Sequence, residues 1–194
     1  MILSNLEIQK ALDEGRLVIE PQPSPRKSEH GKYCPYDTTA VDLRLHYEIR
    51  VPRGGPFVYD LMESGSISEL ITKYSEPYTL KDKQPYHLSN GEFVLGRTLE
   101  KIEFPTDKGS PCLAGRIEGK SSRARCGILV HFTAPTVHAG WSGRLSLEII
   151  NLRPTIFLLT PEMPIAQLVV EQVCGDVMLN PSEFQNQSTP EGLP

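Results

Sequence analysis

Long apolar runs are missing from this chain, since no stretch approaches the roughly 20 consecutive apolar residues that a helix needs to cross a bilayer. The amino terminus, MILSNLEIQ, also lacks a basic segment followed by an apolar one, so we predict no secretory signal peptide. We therefore expect a cytoplasmic protein that does not associate with membranes.

Cysteine is scarce and scattered. The four cysteines, Cys34, Cys112, Cys126 and Cys174, form no CxxC pair. Free thiols in a reducing compartment fit this distribution better than a disulfide framework does.

An excess of basic residues is lacking as well. Twenty lysines and arginines stand against 24 aspartates and glutamates, which gives a formal net charge of −4. A protein that coats nucleic acid usually needs a basic surface, so we expect no nucleic-acid partner. An acidic chain can still bind a nucleotide where its cations are concentrated in one place.

Extended helical periodicity is absent too, because 17 prolines and 15 glycines interrupt short apolar runs. This punctuation favours an all-β fold over a helical bundle. Its 194 residues predict a single domain, residues 1–194, that buries roughly 70% of its unfolded surface. One short helix is expected at the amino terminus, where Ser4 and Glu7 form a capping box and helical spacing continues to Gly15.

Short alternating or apolar runs between turn residues predict strands. The predicted strands lie at residues 17–20, 41–47, 92–95, 99–104, 113–117, 128–132, 145–150, 156–159 and 165–171. Their spacing is typical of a β-barrel or sandwich. The pattern is weak between residues 52 and 85, where residues 57–59 could form a strand and residues 66–73 a helical turn or two.

The carboxy-terminal segment, residues 180–194, is polar and has no apolar periodicity. We call it the tail and expect it to be flexible. It carries no lysine or arginine, because Arg153 is the last basic residue of the chain.

A short cationic loop at residues 119–125, GKSSRAR, stands out near the middle of the chain. Its glycine permits close backbone approach, its two hydroxyls can donate to phosphate oxygens, and its three cations can neutralise them. On residue types alone, such a loop is more often a solvated turn than an anion site.

A strand-like alternation, LSLEII at residues 145–150, follows this loop. It places Leu145, Leu147 and Ile149 on one face, and Ser146 and Glu148 on the other. A glutamate on the solvent face of a strand is usually a surface residue; the other interpretation is a general base.

The combined motif, GKSSRARCG-x3-H-x-TA-x7-SG-x-LSLEIIN, resembles the core of the dCTP deaminase branch of the dUTPase superfamily. Further matches are TTAVDLRL at residues 38–45, LSNGEFVLGRTLEKIEFP at 88–105 and PEMPIAQLVVEQV at 161–173, so the resemblance covers most of the chain. It implies an all-β, dUTPase-like β-barrel or jelly roll with a short amino-terminal helix, assembled as a homotrimer.

The same resemblance implies deamination of dCTP to dUTP and ammonia in pyrimidine deoxynucleotide synthesis. Glu148 would take a proton from water and deliver it to the departing amino group. The Ser121 hydroxyl and the Ala134 carbonyl would hold that water, while Arg125 would position Glu148. In the family the site lies between subunits, so these residues need not converge within one chain. Mg²⁺ would arrive with the triphosphate.

The resemblance also implies a set of substrate-binding residues. They are Lys120, Ser121, Ser122, Arg123, Ala124, Arg125, His138, Leu147 and Gln187. Lys120 stands where arginine is common, which keeps the charge but loses the bidentate fork. His138 stands where the family often has an aspartate that accepts from the deoxyribose 3′-hydroxyl, and a neutral imidazole can still accept one hydrogen bond. The tail keeps Gln187 but lacks the family's lysine and tyrosine.

Zinc-dependent nucleobase deaminases pair an HxE with a PCxxC. His46 and Glu48 match the first element and Pro111-Cys112 begins the second, but Gly115 stands where the second cysteine is needed. We therefore expect a zinc-independent hydrolase.

Three alternatives remain open. The chain could be a bifunctional deaminase that continues to dUMP, a plain dUTPase, or a nucleotide-binding regulator without turnover. Glu148 favours the deaminase over a plain dUTPase, which needs no base there. His138 and the tail without a cation favour the regulator.

Overall fold

The computed structural model describes residues 1–29, 31–58, 67–109, 111–180 and 182–194. These ranges contain three helices, α1 (Asn5–Asp13), α2 (Ile67–Tyr74) and α3 (Ser121–Arg125). They also contain the strands β1 (Val18–Glu20), β2 (Tyr36–Asp37), β3 (Ala40–Arg44), β4 (Glu48–Pro52), β5 (Ser75–Thr79), β6 (Tyr86–Leu88), β7 (Phe93–Glu103), β8 (Leu113–Gly119), β9 (Ile128–Val130), β10 (Thr136–Val137), β11 (Ser142–Asn151), β12 (Phe157–Leu159) and β13 (Pro164–Gln172). None of the described helices is both long enough and apolar enough to cross a membrane.

The strands pair into two principal sheets. Sheet I has the order β5-β4-β7-β11-β9, and β1 also pairs with β7. Sheet II has the order β10-β8-β13-β3-β2, while β12 and β6 form a separate pair. Buried apolar residues of both sheets belong to one hydrophobic cluster, so the sheets pack face to face around a shared core.

The strand β7 was predicted as two strands, residues 92–95 and 99–104, and the structure joins them into one. Gly96 and Arg97 interrupt the apolar pattern, yet they stay paired with Leu147 and Ser146 of β11. A Cβ at Gly96 would lie 2.8 Å from Leu45 Cδ1, so glycine lets the core approach closely here. The prediction of a break was wrong, because a glycine and a charge marked a packed position rather than a turn.

The pairing of β7 with β11 changes register once along its length. Arg144 lies opposite Lys101, but Ser146 lies opposite Arg97, so two steps along β11 correspond to four along β7. At this change of register, the Leu145 N–H donates to the Thr98 hydroxyl at 3.0 Å.

Sheet I carries one buried and one outer face, as the alternation in β11 predicted. Leu147 and Ile149 are fully buried in the core, whereas Ser146 and Glu148 point away from it. The outer face, which we define as the side of β4, β7 and β11 that carries Glu148, is the surface on which the candidate site is built.

The amino-terminal helix α1 forms where it was predicted, and Ser4 is its N-cap residue. The Ser4 hydroxyl accepts a hydrogen bond from the Glu7 N–H at 3.4 Å, and Ile8 and Ala11 are buried. In the weakly patterned region, residues 57 and 58 are not in a strand, and Tyr59 lies outside the described residues. The helical prediction at 66–73 matches α2, with Ser66 outside the described residues.

Candidate active site

A cavity of about 360 Å³ lies on the outer face of sheet I. Its walls come from β7, β11 and α2, from the segment 131–141, and from the tail. Apolar side chains such as Leu95 and Trp141 line much of it, and Glu148, His131 and His138 supply titratable groups. A largely apolar pocket with a few convergent polar groups is the usual form of a small-molecule site.

Glu148 meets His131 inside this cavity. His131 Nδ1 lies 2.9 Å from Glu148 Oε2, with the two side chains 10% and 34% exposed. Both atoms are buried and neither has a hydrogen-bond partner among the described residues, so the contact is an ion pair. The other ring nitrogen, Nε2, lies 2.7 Å from the Ala134 carbonyl oxygen. A carbonyl only accepts, so Nε2 must carry a proton.

This arrangement favours an imidazolium facing a carboxylate. Burial opposes protonation of His131, but the Glu148 carboxylate outweighs it and raises the pKa of His131. Burial also disfavours the ionised form of Glu148, but His131 outweighs that effect and lowers the pKa of Glu148. Glu148 is therefore held in the ionised form, which is the form that can accept a proton.

The backbone of His131 also faces Glu148. The His131 N–H donates to the Glu148 carbonyl oxygen at 2.9 Å, directly after β9 ends. His131 has φ of 59°, a left-handed conformation in which histidine is enriched among non-glycine residues. His131 belongs to the sequence motif, but no role was predicted for it. The available signal was its position between an apolar strand and Thr133-Ala134.

The structure brings four predicted site residues together. Glu148, Ala134, His138 and Gln187 all line the cavity. Leu147 does not, because its side chain is fully buried in the core on the opposite side of β11. The assignment of Leu147 as a substrate-binding residue stays a prediction. Because its side chain is buried, only its backbone could contact the substrate.

The cationic loop lies apart from this cavity. Its last five residues form α3 instead of an open loop, and none of residues 119–125 lines the cavity. Ser121, Ser122, Ala124 and Arg125 are exposed, and Arg123 is half-buried. Lys120 contacts the buried carboxylate of Asp42. Within one chain, Ser121 and Arg125 do not reach Glu148.

The tail packs against the outer face. The Asn186 N–H donates to the Ser142 carbonyl at 2.7 Å, and the Arg144 N–H donates to the Gln187 carbonyl at 2.9 Å. The Gln187 side-chain amide donates to the Arg144 carbonyl at 2.7 Å. A Cβ at Gly143, whose φ is 152°, would lie 3.0 Å from the Gln187 carbonyl oxygen, so glycine makes room for this approach. The predicted flexibility of the tail stays a prediction.

An ion pair joins the carboxy-terminal end of the tail to β4. The Arg50 guanidinium binds the Glu191 carboxylate with both Nε, at 3.1 Å, and Nη2. The side chains of Arg50 and Glu191 are only 15% and 4% exposed. Burial opposes ionisation of Glu191, but Arg50 outweighs it and lowers the pKa of that carboxyl.

The HxE residues considered for zinc are engaged otherwise. Glu48 pairs with Arg97, and burial, followed by the charges of Arg97 and Arg144, lowers the pKa of His46 to about 4. Among the described residues, no group of three or more His, Cys, Asp and Glu side chains is placed to hold a metal ion.

Comparison with known proteins identifies relatives along most of the chain. A family model described as dCTP deaminase-like matches residues 2–173. A dCTP deaminase of Marinomonas sp. is 37% identical over 178 residues, which cover 90% of this chain and 85% of that protein. A dUMP-forming dCTP deaminase of Dictyoglomus thermophilum is 35% identical over 173 residues, covering 87% and 78% respectively.

A solved structure shows the same fold. The crystal structure of 2′-deoxycytidine 5′-triphosphate deaminase from Agrobacterium tumefaciens aligns with a TM-score of 0.61 at 17% identity and covers 87% of this chain. The alignment spans 48% of that chain, about half its length. This likeness, with the two antiparallel sheets, confirms the predicted dUTPase-like β-fold. The family match and the sequence relatives together establish that the chain belongs to the dCTP deaminase-like family.

Proposed function

We propose that the chain deaminates dCTP to dUTP and ammonia. The observation that carries the proposal is Glu148, held ionised by His131 in a cavity of about 360 Å³, in a member of the dCTP deaminase-like family. The product dUTP would serve pyrimidine deoxynucleotide synthesis. We place the reaction in the cytoplasm, without a membrane or nucleic-acid partner.

The cavity geometry supports a single carboxylate acting on water. His131 Nδ1 contacts Oε2 of Glu148, so Oε1 is the carboxylate oxygen that can accept a proton from water. The Ala134 carbonyl has a second lone pair beyond the one that faces His131, and it can hold that water. The resulting hydroxide adds to C4 of cytosine. Glu148 then delivers the proton to the amino group, the C4–N bond breaks and ammonia leaves. The proton of the added hydroxyl passes to N3, so that C4 becomes the carbonyl carbon of uracil.

We propose that Ser121 and Arg125 complete each site from a neighbouring subunit of a homotrimer. Two observations support this. The cationic loop presents Ser121 and Arg125 to solvent, away from the cavity of its own chain. Large apolar side chains that are 38–56% exposed also lie nearby in sequence, as expected at an interface. They are Leu129, Phe132, Leu152, Ile156 and Leu158.

In this assembly the loop residues Lys120, Ser122, Arg123 and Ala124 would bind the triphosphate together with its Mg²⁺. His138 would face the sugar, and Gln187 would contact the nucleotide from the tail; both line the cavity. We propose that no zinc is needed, because Glu148 itself can activate the water.

Product analysis tests the proposal. Wild-type protein incubated with Mg²⁺ and dCTP should release ammonia and dUTP in equal amounts. Glu148→Gln should release neither, whereas Glu171→Gln, which changes a glutamate paired with Arg116 away from the cavity, should behave like wild type. Binding of dCTP without any ammonia from the wild-type protein would favour the regulator and overturn the proposal.

A bifunctional reaction is the second candidate. It is favoured by the Dictyoglomus thermophilum relative, which is named as dUMP-forming and is nearly as similar as the Marinomonas relative, at 35% against 37% identity. Ammonia accompanied by dUMP and pyrophosphate would establish it. Hydrolysis of dUTP without any attack on dCTP would instead identify a plain dUTPase.

A further inference from the structure

We propose that Asp42 is a positioning residue that fixes Lys120, and with it the phosphate-binding loop, for the triphosphate. The inference rests on the proposed function, which makes residues 119–125 the triphosphate site. Asp42 Oδ1 contacts Lys120 Nζ, although the two residues are 78 positions apart in sequence. Their side chains are 2% and 16% exposed, so the contact lies inside the protein.

The carboxylate of Asp42 accepts from three donors of its own chain. It projects from β3 and is 3% exposed as a residue. Besides Lys120, it accepts from the Tyr33 hydroxyl at 2.6 Å and from the Gln167 side-chain amide at 2.9 Å. A buried carboxylate needs such partners to offset its lost hydration. Tyr33 and Gln167 thus hold Asp42 in one orientation, and Asp42 in turn determines where the lysine ammonium lies.

Lys120 stands at the start of α3. It is the N-cap residue, with φ of −69° and ψ of 127°, and its side chain makes no capping bond to the helix. Its carbonyl accepts from the N–H groups of Arg123 and Ala124 at 2.9 and 3.0 Å. Fixing Lys120 to β3 therefore also fixes the first turn of α3, which presents Ser121 and Ser122.

The ammonium keeps donors for a ligand. It has three N–H groups, of which Asp42 Oδ1 uses one, and its side chain stays 16% exposed. A lysine ammonium on its flexible four-carbon stem would otherwise sample many positions. An anchored ammonium is already in place when the triphosphate arrives, which removes an ordering cost from binding.

Asp42→Asn, which keeps the size and removes the charge, tests this inference in the full-length protein. We expect the KM for dCTP to rise roughly tenfold or more, the usual effect of losing one charge-assisted hydrogen bond, with kcat changed less than about threefold. The inhibition constant of deoxycytidine should stay within about twofold of wild type, because deoxycytidine has no phosphate for the Lys120 ammonium to bind.

Asp37→Asn is the matched control. Asp37 accepts from the same Gln167 amide at 2.6 Å, but its hydrogen bonds do not include Lys120. We expect its KM to match wild type. In the double variant Asp42→Asn with Lys120→Ala, the KM should equal that of Lys120→Ala alone, because both changes act through one contact.

Three outcomes would overturn the inference. Asp42→Asn could match Asp37→Asn, it could lower the KM by removing a negative charge near the phosphates, or it could raise the deoxycytidine inhibition constant in parallel. If Asp42→Asn does not fold, Asp42→Glu provides a second test, because it keeps the charge but shifts the carboxylate. It should raise the KM for dCTP alone, and an unchanged KM would count against the inference. A wild-type protein that does not turn over dCTP would instead refute the proposed function.

Discussion

Replacing Arg50 by glutamine should release the tail from the outer face. Arg50 and Glu191 form a buried ion pair, with side chains 15% and 4% exposed. Removing one partner of such a pair typically costs about 3–5 kcal/mol, because the remaining charge stays buried without compensation. Each 1.4 kcal/mol corresponds to a factor of ten, so the ratio of docked to undocked tail should fall by roughly two to four orders of magnitude.

In Arg50→Gln, the Glu191 carboxylate need not stay buried without a partner, because the tail can detach locally from the outer face. Besides the ion pair, five hydrogen bonds hold the described part of the tail, donated by the Asn186 N–H, the Arg144 N–H, the side-chain amides of Gln185 and Gln187, and the Ser146 hydroxyl. Each is worth roughly 0.5–1.5 kcal/mol. The loss should therefore appear as local opening of residues 182–194, with little change in global unfolding.

Amide hydrogen exchange without nucleotide measures this opening directly. In Arg50→Gln, the protected amides of the tail should exchange faster by roughly two orders of magnitude or more. Arg53→Gln is the control, because Arg53 and its partner Glu76 are 52% and 67% exposed, and exposed pairs contribute little. Equal protection in the two variants would show that the backbone contacts hold the tail unaided and would refute the reasoning.

Other predictions concern the base, the assembly, pH and metals. Glu148→Gln should keep the fold and lower kcat by roughly 10²–10⁴-fold, and a near-wild-type kcat would exclude Glu148 as the base. Mixing inactive Glu148→Gln with inactive Ser121→Ala should restore partial activity through hybrid trimers; no recovery despite subunit exchange would argue for sites within single chains. The contact between His131 and Glu148 should stabilise the fold most between pH 4.5 and 6.5. Its glutamate contribution is lost as pH falls through the lowered pKa of Glu148, and its histidine contribution as pH rises through the raised pKa of His131. Comparing the melting temperatures of wild type and His131→Gln across pH checks this, and a pH-independent difference would contradict it. Activity should survive a zinc-selective chelator yet require Mg²⁺, whereas stoichiometric zinc in active protein would contradict zinc independence.

Local alternation was the part of the site most readable from sequence. The pattern LSLEII predicted that Leu147 faces the core and Glu148 the other side, and the structure confirms both. A period of two is a property of adjacent residues, so it requires no knowledge of the partner strand. The short amino-terminal helix was predictable for the same reason, since its cap and apolar spacing lie within a few residues.

The contacts that complete the site were not readable, because they join distant residues. Arg50 meets Glu191 across 141 positions, and Lys120 meets Asp42 across 78. The sequence shows that the tail has no cation. It does not show that an acidic residue of the tail, Glu191, contacts Arg50 on the outer face.

The register change between β7 and β11 constrains which insertions and deletions this fold can accept. Arg97 faces the same side as Ser146 because the shift amounts to two residues of β7, which preserves the alternation. Removing one residue from the segment 98–100 would make the shift odd, so every side chain from Phe93 to Arg97 would change sides. Leu95 would leave the cavity for the core, and Val94 would leave the core for the cavity. Length variation at this point should therefore be tolerated in steps of two residues and not in steps of one.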